Sequence, residues 1–160
     1  MNLISAEVSY WLSTGSPYGD GTESGNGIVQ LSEGWAFYTG QQRTLNKYGV
    51  GLHIDGFTVF DDFTPISTGT VGDYLNYIGD GSWWEGWIPA GIFWDLTDTT
   101  VDFLRSTYSD NVSGYSISDI HNAMDDDVDD MQEFKARILS ENNWHDYSDL
   151  LDLFRGYFYY

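Results

Sequence analysis

The sequence contains no cysteine, only three prolines and only six basic residues among 160. The absence of thiols excludes disulfides and thiolate metal sites, and leaves the redox compartment open. No apolar run approaches the roughly 18 residues that cross a membrane. The opening "MNLISAEVSYWL" lacks a basic n-region, so no signal peptide is expected. Ser/His/Asp motifs, a Walker loop and a Rossmann fingerprint are missing as well.

The shortage of bases has the widest consequence. Twenty-five acids against six bases give a net charge of −19, which argues against sequence-independent binding to nucleic acid or to an anionic membrane. Three sources of such acidity are open: a solvated, salt-adapted surface, a docking face for a basic partner (including mimicry of DNA), and calcium-loaded loops. Residues 110–152 hold twelve acids and two bases, about half of the net charge.

Apolar residues, in contrast, are plentiful. They make up 41% of the chain and aromatics 18%, well above what a disordered chain carries. At this length one domain is expected, able to bury about 70% of its unfolded surface.

Periodicity organises the chain. Residues 3–14 read as a helix with Leu3, Ile4, Val8, Trp11 and Leu12 on its apolar side. Residues 15–27, with five glycines and a proline, read as a loop. A second helix is expected to open at Ser32. Residues 50–63 alternate loosely and predict a strand or short hairpin, and 64–81 read as loop. Ser82 with Glu85 has the spacing of a capping box ahead of "WWEGWIPAGIFWDLTD". Pro89 inside that run should kink the helix or delay its start. Beyond Ser116 the chain is plainly helical. Ser116 and Asp119 are positioned to cap one helix, "DDMQEFKARILSEN" forms another, and Leu150, Leu151, Phe154 and Tyr157 supply the buried stripe of a last one.

Two short stretches carry a resemblance: "LSEGWAFYTG" (31–40) and "EGWIPAGIFWDLTD" (85–98). Together they resemble secreted bacterial zinc metallopeptidases of the glutamate-ligand (gluzincin-like) group, and the closing helices look like that group's tail. The resemblance implies a mainly α (α+β) fold, a zincin-like helical domain with a minor β element. A single domain 1–160 would then hold the site region in 1–109 and a C-terminal helical part in 110–160. In such enzymes two histidines four residues apart hold the zinc, the Glu after the first is the general base, and a later helix supplies a third ligand. Carried over by position, Glu7 is the vestigial general base and Glu33 the vestigial third ligand. Ala6 and Tyr10 stand where the two histidines belong. Alanine has no ligand atom, and a phenol of pKa near 10 replaces imidazole poorly. Zinc is therefore expected to be absent.

Each candidate also has a plain structural reading. Glu7 fits a solvated helix residue, and Glu33 could serve a helix N-terminus. Trp35, Trp87 and Trp94 are expected in the core. Adjacent Trp83 and Trp84 cannot both face one core, so one of them, with Tyr10, is a candidate binding residue. His53, His121 and His145 fall in different elements without ligand spacing. The "DDDVDD" run (125–130) lacks the glycine and final Glu of an EF-hand and reads as a solvated turn capping the next helix, with calcium left as the one possible cofactor.

The expectation is thus a catalytically inactive metallopeptidase-like protein that binds a protein or peptide, basic ones included, and neither nucleic acid directly nor a membrane. An acidic interaction protein or DNA mimic blocking a basic nucleic-acid-binding partner is the alternative. A zinc metallopeptidase with atypical ligands is a third. No compartment is implied.

Overall fold

The computed structural model describes residues 24–48, 88–99, 108–157 and 159–160, with Val101 and short strand segments at 53–54, 57–58, 78–79, 82–83 and 103–105. The expected helix over 3–14 lies outside the described residues. The protein is mainly helical. Helix α1 (Asn26–Tyr48) is followed by antiparallel pairs β1 (His53–Ile54) with β2 (Phe57–Thr58), and β3 (Ile78–Gly79) with β4 (Ser82–Trp83). Helix α2 (Ala90–Asp95) and the pair β5 (Phe103–Arg105) and β6 (Tyr108–Ser109) come next. Three further helices close the chain: α3 (Ile117–Ala123), α4 (Met131–Glu141) and α5 (Tyr147–Gly156).

Helix α1 opens two turns earlier than Ser32. Gly25, at φ 84°, makes the turn into it, and the Ser32 hydroxyl donates back to the Ile28 carbonyl as a mid-helix residue. Residues 27, 31, 34, 38 and 41 are buried, at the 3–4 spacing of one helix face. Two of these five are glycines, each at a close approach. A Cβ on Gly27 would stand 2.6 Å from the Asp129 carbonyl oxygen, and one on Gly34 would stand 2.8 Å from the Phe93 ring.

The region around Ser82 also departs from expectation. Ser82 caps no helix, because Ser82 and Trp83 form a strand against Ile78 and Gly79 within what reads as loop. Pro89 does delay the helix, which starts at Ala90. Every side chain described in α2, and Leu96 after it, is buried. Within 50–63 the pair β1–β2 forms where a strand or short hairpin is expected.

The C-terminal helices follow their sequence signals. Ser116 and Asp119 form a reciprocal capping box on α3, and Asp130 caps α4 by accepting from the Gln132 and Glu133 amides. In α5 the buried stripe is Leu150, Leu153, Phe154 and Tyr157, while Leu151 is only half-buried. A chain of ring contacts ties the helices together. Trp35 meets Phe93 at 5.7 Å, Phe93 meets Phe134 at 5.7 Å, and Phe134 meets Phe154 at 6.1 Å. One apolar core runs from Val29 to Tyr157, and each fully buried large side chain in it contributes roughly 1.5–3 kcal/mol.

Candidate functional site

Three places could carry function. The first is where the two metallopeptidase-like motifs meet. Helix α1 packs on α2 with Gly34 under the Phe93 ring, and Tyr38 lies against Trp94 at 6.0 Å. The Tyr38 and Thr97 hydroxyls share a 2.8 Å hydrogen bond, and burial raises the Tyr38 phenol above its ordinary pKa. Asp95 points away from this contact, into the core, where it accepts 2.8 Å from the Tyr157 hydroxyl. Trp35 packs partly against the core, and Trp94 is 5% exposed, as expected of structural tryptophans. Trp87 lies outside the described residues.

Glu33 stands half-buried two turns into α1, so it does not serve the N-terminus of that helix. Glu7, Ala6, Tyr10 and Trp84 lie outside the described residues, and of Trp83 only the backbone pairing with Ile78 is described. His53 pairs across β1–β2, His121 sits exposed on α3, and His145 lies exposed between α4 and α5. Among the described residues no cluster with metal-ligand geometry includes a histidine.

The second place is the acidic run. The carboxylates of Asp125, Asp126 and Asp127 lie within 4.8 Å of one another and are all exposed. Arg137 already fills part of this cluster, donating to both oxygens of Asp127 at 2.6 and 2.7 Å and lying 3.7 Å from Asp125. Donation from the one nitrogen Nη2 to both Asp127 oxygens raises the guanidinium pKa further. Alongside runs a shallow groove of about 320 Å³ lined by Asp127, Val128, Glu133, Ala136, Arg137 and Ser140.

Charge over the whole C-terminal part is lopsided. Of the twelve acids in 110–152, seven are exposed, four are partly exposed and only Asp110 is buried. The three cations beyond residue 110 all have internal partners. Arg137 holds the cluster, Arg155 sits 3.3 Å from Asp152, and Lys135 lies 5.6 Å over the Phe154 ring. Burial, followed by the charge of Arg155, lowers the Lys135 pKa. The exposed charge of this part is strongly negative.

The third place is the turn 142–146, which sequence reasoning passed over. Asn143, Trp144 and Asp146 all have positive φ (55°, 61° and 50°), a rare conformation for residues other than glycine and most costly for a bulky one. Backbone and side-chain hydrogen bonds hold it. The Trp144 amide donates to the Leu139 carbonyl at 2.8 Å, the His145 amide to the Asn142 carbonyl at 3.1 Å, and the Asn142 side chain to the Ile138 carbonyl at 2.8 Å. The buried Tyr115 hydroxyl donates to the His145 carbonyl at 2.7 Å. Burial, and then the charges of Asp146 and Asp119, push the Tyr115 phenol up to about 12. On top of this frame Trp144 is 59% and Tyr147 49% exposed, their rings edge-to-face at 5.7 Å. One signal was available in the sequence. In "ENNWHDY" an indole interrupts a polar run and falls on neither neighbouring helix stripe.

Comparison with known proteins adds nothing to this geometry: no family model, no curated protein and no solved structure matches the chain. Among the described residues no helix is long and apolar enough to cross a membrane.

Proposed function

We propose that this protein is a non-catalytic binding module that docks a basic protein or peptide segment on the acidic face of α3–α5. The observation that carries the reading is the charge of this region: seven exposed carboxylates between Asp125 and Glu141, with all three nearby cations held by internal partners. Such a surface steers a cationic partner and repels polyanions. A lysine- and arginine-rich peptide tests it. Binding should weaken steeply with salt, because exposed charges are screened beyond roughly 8–10 Å. Ala136→Lys and Asn122→Lys, at exposed positions on α4 and α3, should each weaken it further. Binding that ignores both salt and these substitutions would overturn the reading.

A second reading, a metallopeptidase-like scaffold without its zinc ligands, is favoured by the direct packing of the "SEGWA" helix on the "FWDLTD" helix. Ala6→His with Tyr10→His would place two imidazoles at i and i+4, with Glu33 as third ligand. The double variant should gain zinc in isothermal titration, and either single variant much less. A folded double variant that takes up no zinc would remove this reading.

A further inference from the structure

Trp144 and Tyr147 form an exposed pair outside the apolar core of the described residues. Burying an indole in the core is the ordinary outcome, and a solvent-facing Trp beside a second exposed aromatic marks a surface that meets something else. The backbone beneath is unusually fixed. Three residues of the turn sit in the left-handed region, and the buried Tyr115 hydroxyl anchors it from below. The platform is thus preformed, so a ligand that stacks on it loses little chain entropy.

Its surroundings select the ligand. Asp146 lies within the turn, 3.1 Å from the His145 imidazole, Asp149 follows in the first turn of α5, and Glu141 ends α4. No lysine or arginine occurs between Arg137 and Arg155, and each of those two already faces a carboxylate. An exposed indole with carboxylates close by in the chain on both sides favours a flat cation, whose guanidinium stacks on a ring while its N–H groups bind acids. Lysine offers a point charge without the stacking plane.

We infer that Trp144 and Tyr147 form the anchor for an arginine side chain of the basic partner, a step that rests on the acidic docking face proposed above. The ends of α4 divide the labour. The acidic run at its start attracts, and the aromatic turn at its end holds. Trp and Tyr paired with Arg are also the residue types that dominate binding energy at protein interfaces.

The test titrates three short peptides of one design, carrying arginine, lysine or citrulline, into the protein while the Trp144 indole N–H is followed by NMR, assigned with Trp144→Phe. The arginine peptide should shift that resonance. Citrulline, the neutral isostere of arginine, should not, and lysine should bind more weakly than arginine. Trp144→Ala should weaken arginine binding roughly two- to fivefold, the range of an exposed cation–π contact. Trp144→Phe should lose less. Because Trp144 is exposed, circular dichroism of these variants should match the parent. If Ala136→Lys weakens the arginine peptide but Trp144→Ala does not, the anchor is overturned and the acidic face stands. If no cationic peptide binds at low salt, both are overturned. A Trp144 shift produced by a neutral oligosaccharide and not by arginine would make the turn a sugar platform and overturn the anchor.

Discussion

Tyr157, at the end of α5, donates its hydroxyl at 2.8 Å to the Oδ2 of Asp95, 62 residues earlier, and both side chains are buried. This bond joins the last helix to the short helix of the "FWDLTD" motif. It gives Asp95 of that motif a structural duty in the interior.

Removing the donor should therefore be costly. Tyr157→Phe is expected to lower stability by about 1–3 kcal/mol in urea unfolding, because a buried carboxyl group loses a hydrogen bond. Asp95→Asn keeps an acceptor oxygen and should cost less. In the double variant the losses should not add, as for any pair in direct contact. Additive losses would mean that the bond contributes nothing.

Two glycines of α1 should respond oppositely to the same change. Gly34→Ala pushes a methyl to 2.8 Å from the Phe93 ring, which Trp35 and Phe134 already flank. Overpacking of this kind costs about 1–3 kcal/mol, more than the roughly 1 kcal/mol gained in helix propensity. Gly40 has open space around its missing Cβ. Gly40→Ala should stabilise by up to about 1 kcal/mol. Thermal unfolding of the two variants decides it.

The α3 capping box should show in acid. Hydrogen bonds from Ser116 hold the Asp119 pKa below its ordinary value. A carboxylate depressed in the folded state stabilises above its unfolded pKa, and that contribution is lost as pH falls through the folded one. Ser116→Ala should cost about 1 kcal/mol at neutral pH. The gap from the parent should shrink below about pH 4, where Asp119 protonates in the unfolded chain.

Tyr115 makes the mirror-image case. Its phenol is raised to about 12 in the folded protein, so the neutral form is favoured there. Its stabilisation is complete below the unfolded pKa of about 10 and is lost as pH rises through 12. Tyr115→Phe should flatten this alkaline loss and, at neutral pH, cost about 1 kcal/mol for the missing bond to the His145 carbonyl. Stability curves between pH 8 and about 12 should cross as a result.

How much of this was legible in the sequence depended on whether local chemistry decided the structure. Ser116, Asp119 and Asp130 act on amides two or three residues away, so α3 and α4 were readable where they start. Pro89 delayed α2 for the same reason: its ring acts on its own turn. The start of α1 was not readable, because glycine at 27 and 34 occupies two of its five buried face positions. An apolar-periodicity reading skips those positions, although they are where backbone meets backbone and ring. Ser82 fits a capping box as well as Ser116 does, but its backbone is paired with Gly79. That partner lies only three residues back across Asp80-Gly81 in the sequence, and Asp-Gly is itself a hairpin signal that competes with the capping-box spacing. The candidate anchor was missed for a different reason. Nothing in the spacing of Trp144 and Tyr147 says that a left-handed turn lifts both rings into solvent.

The contact of Gly27 with Asp129 and Asp130 has a kinetic consequence. It closes a loop of about a hundred residues, and such distant partners slow folding because the chain entropy is lost before the contact forms. Alone, α1 is a weak helix: glycines at 27, 34 and 40 interrupt its 23 residues. It is expected to become secure only once the 129–130 turn and the Phe93 ring exist to receive it. The nucleus should then lie in the self-capped helices α3 and α4. Substitutions along α1 should speed unfolding while leaving the folding rate nearly unchanged.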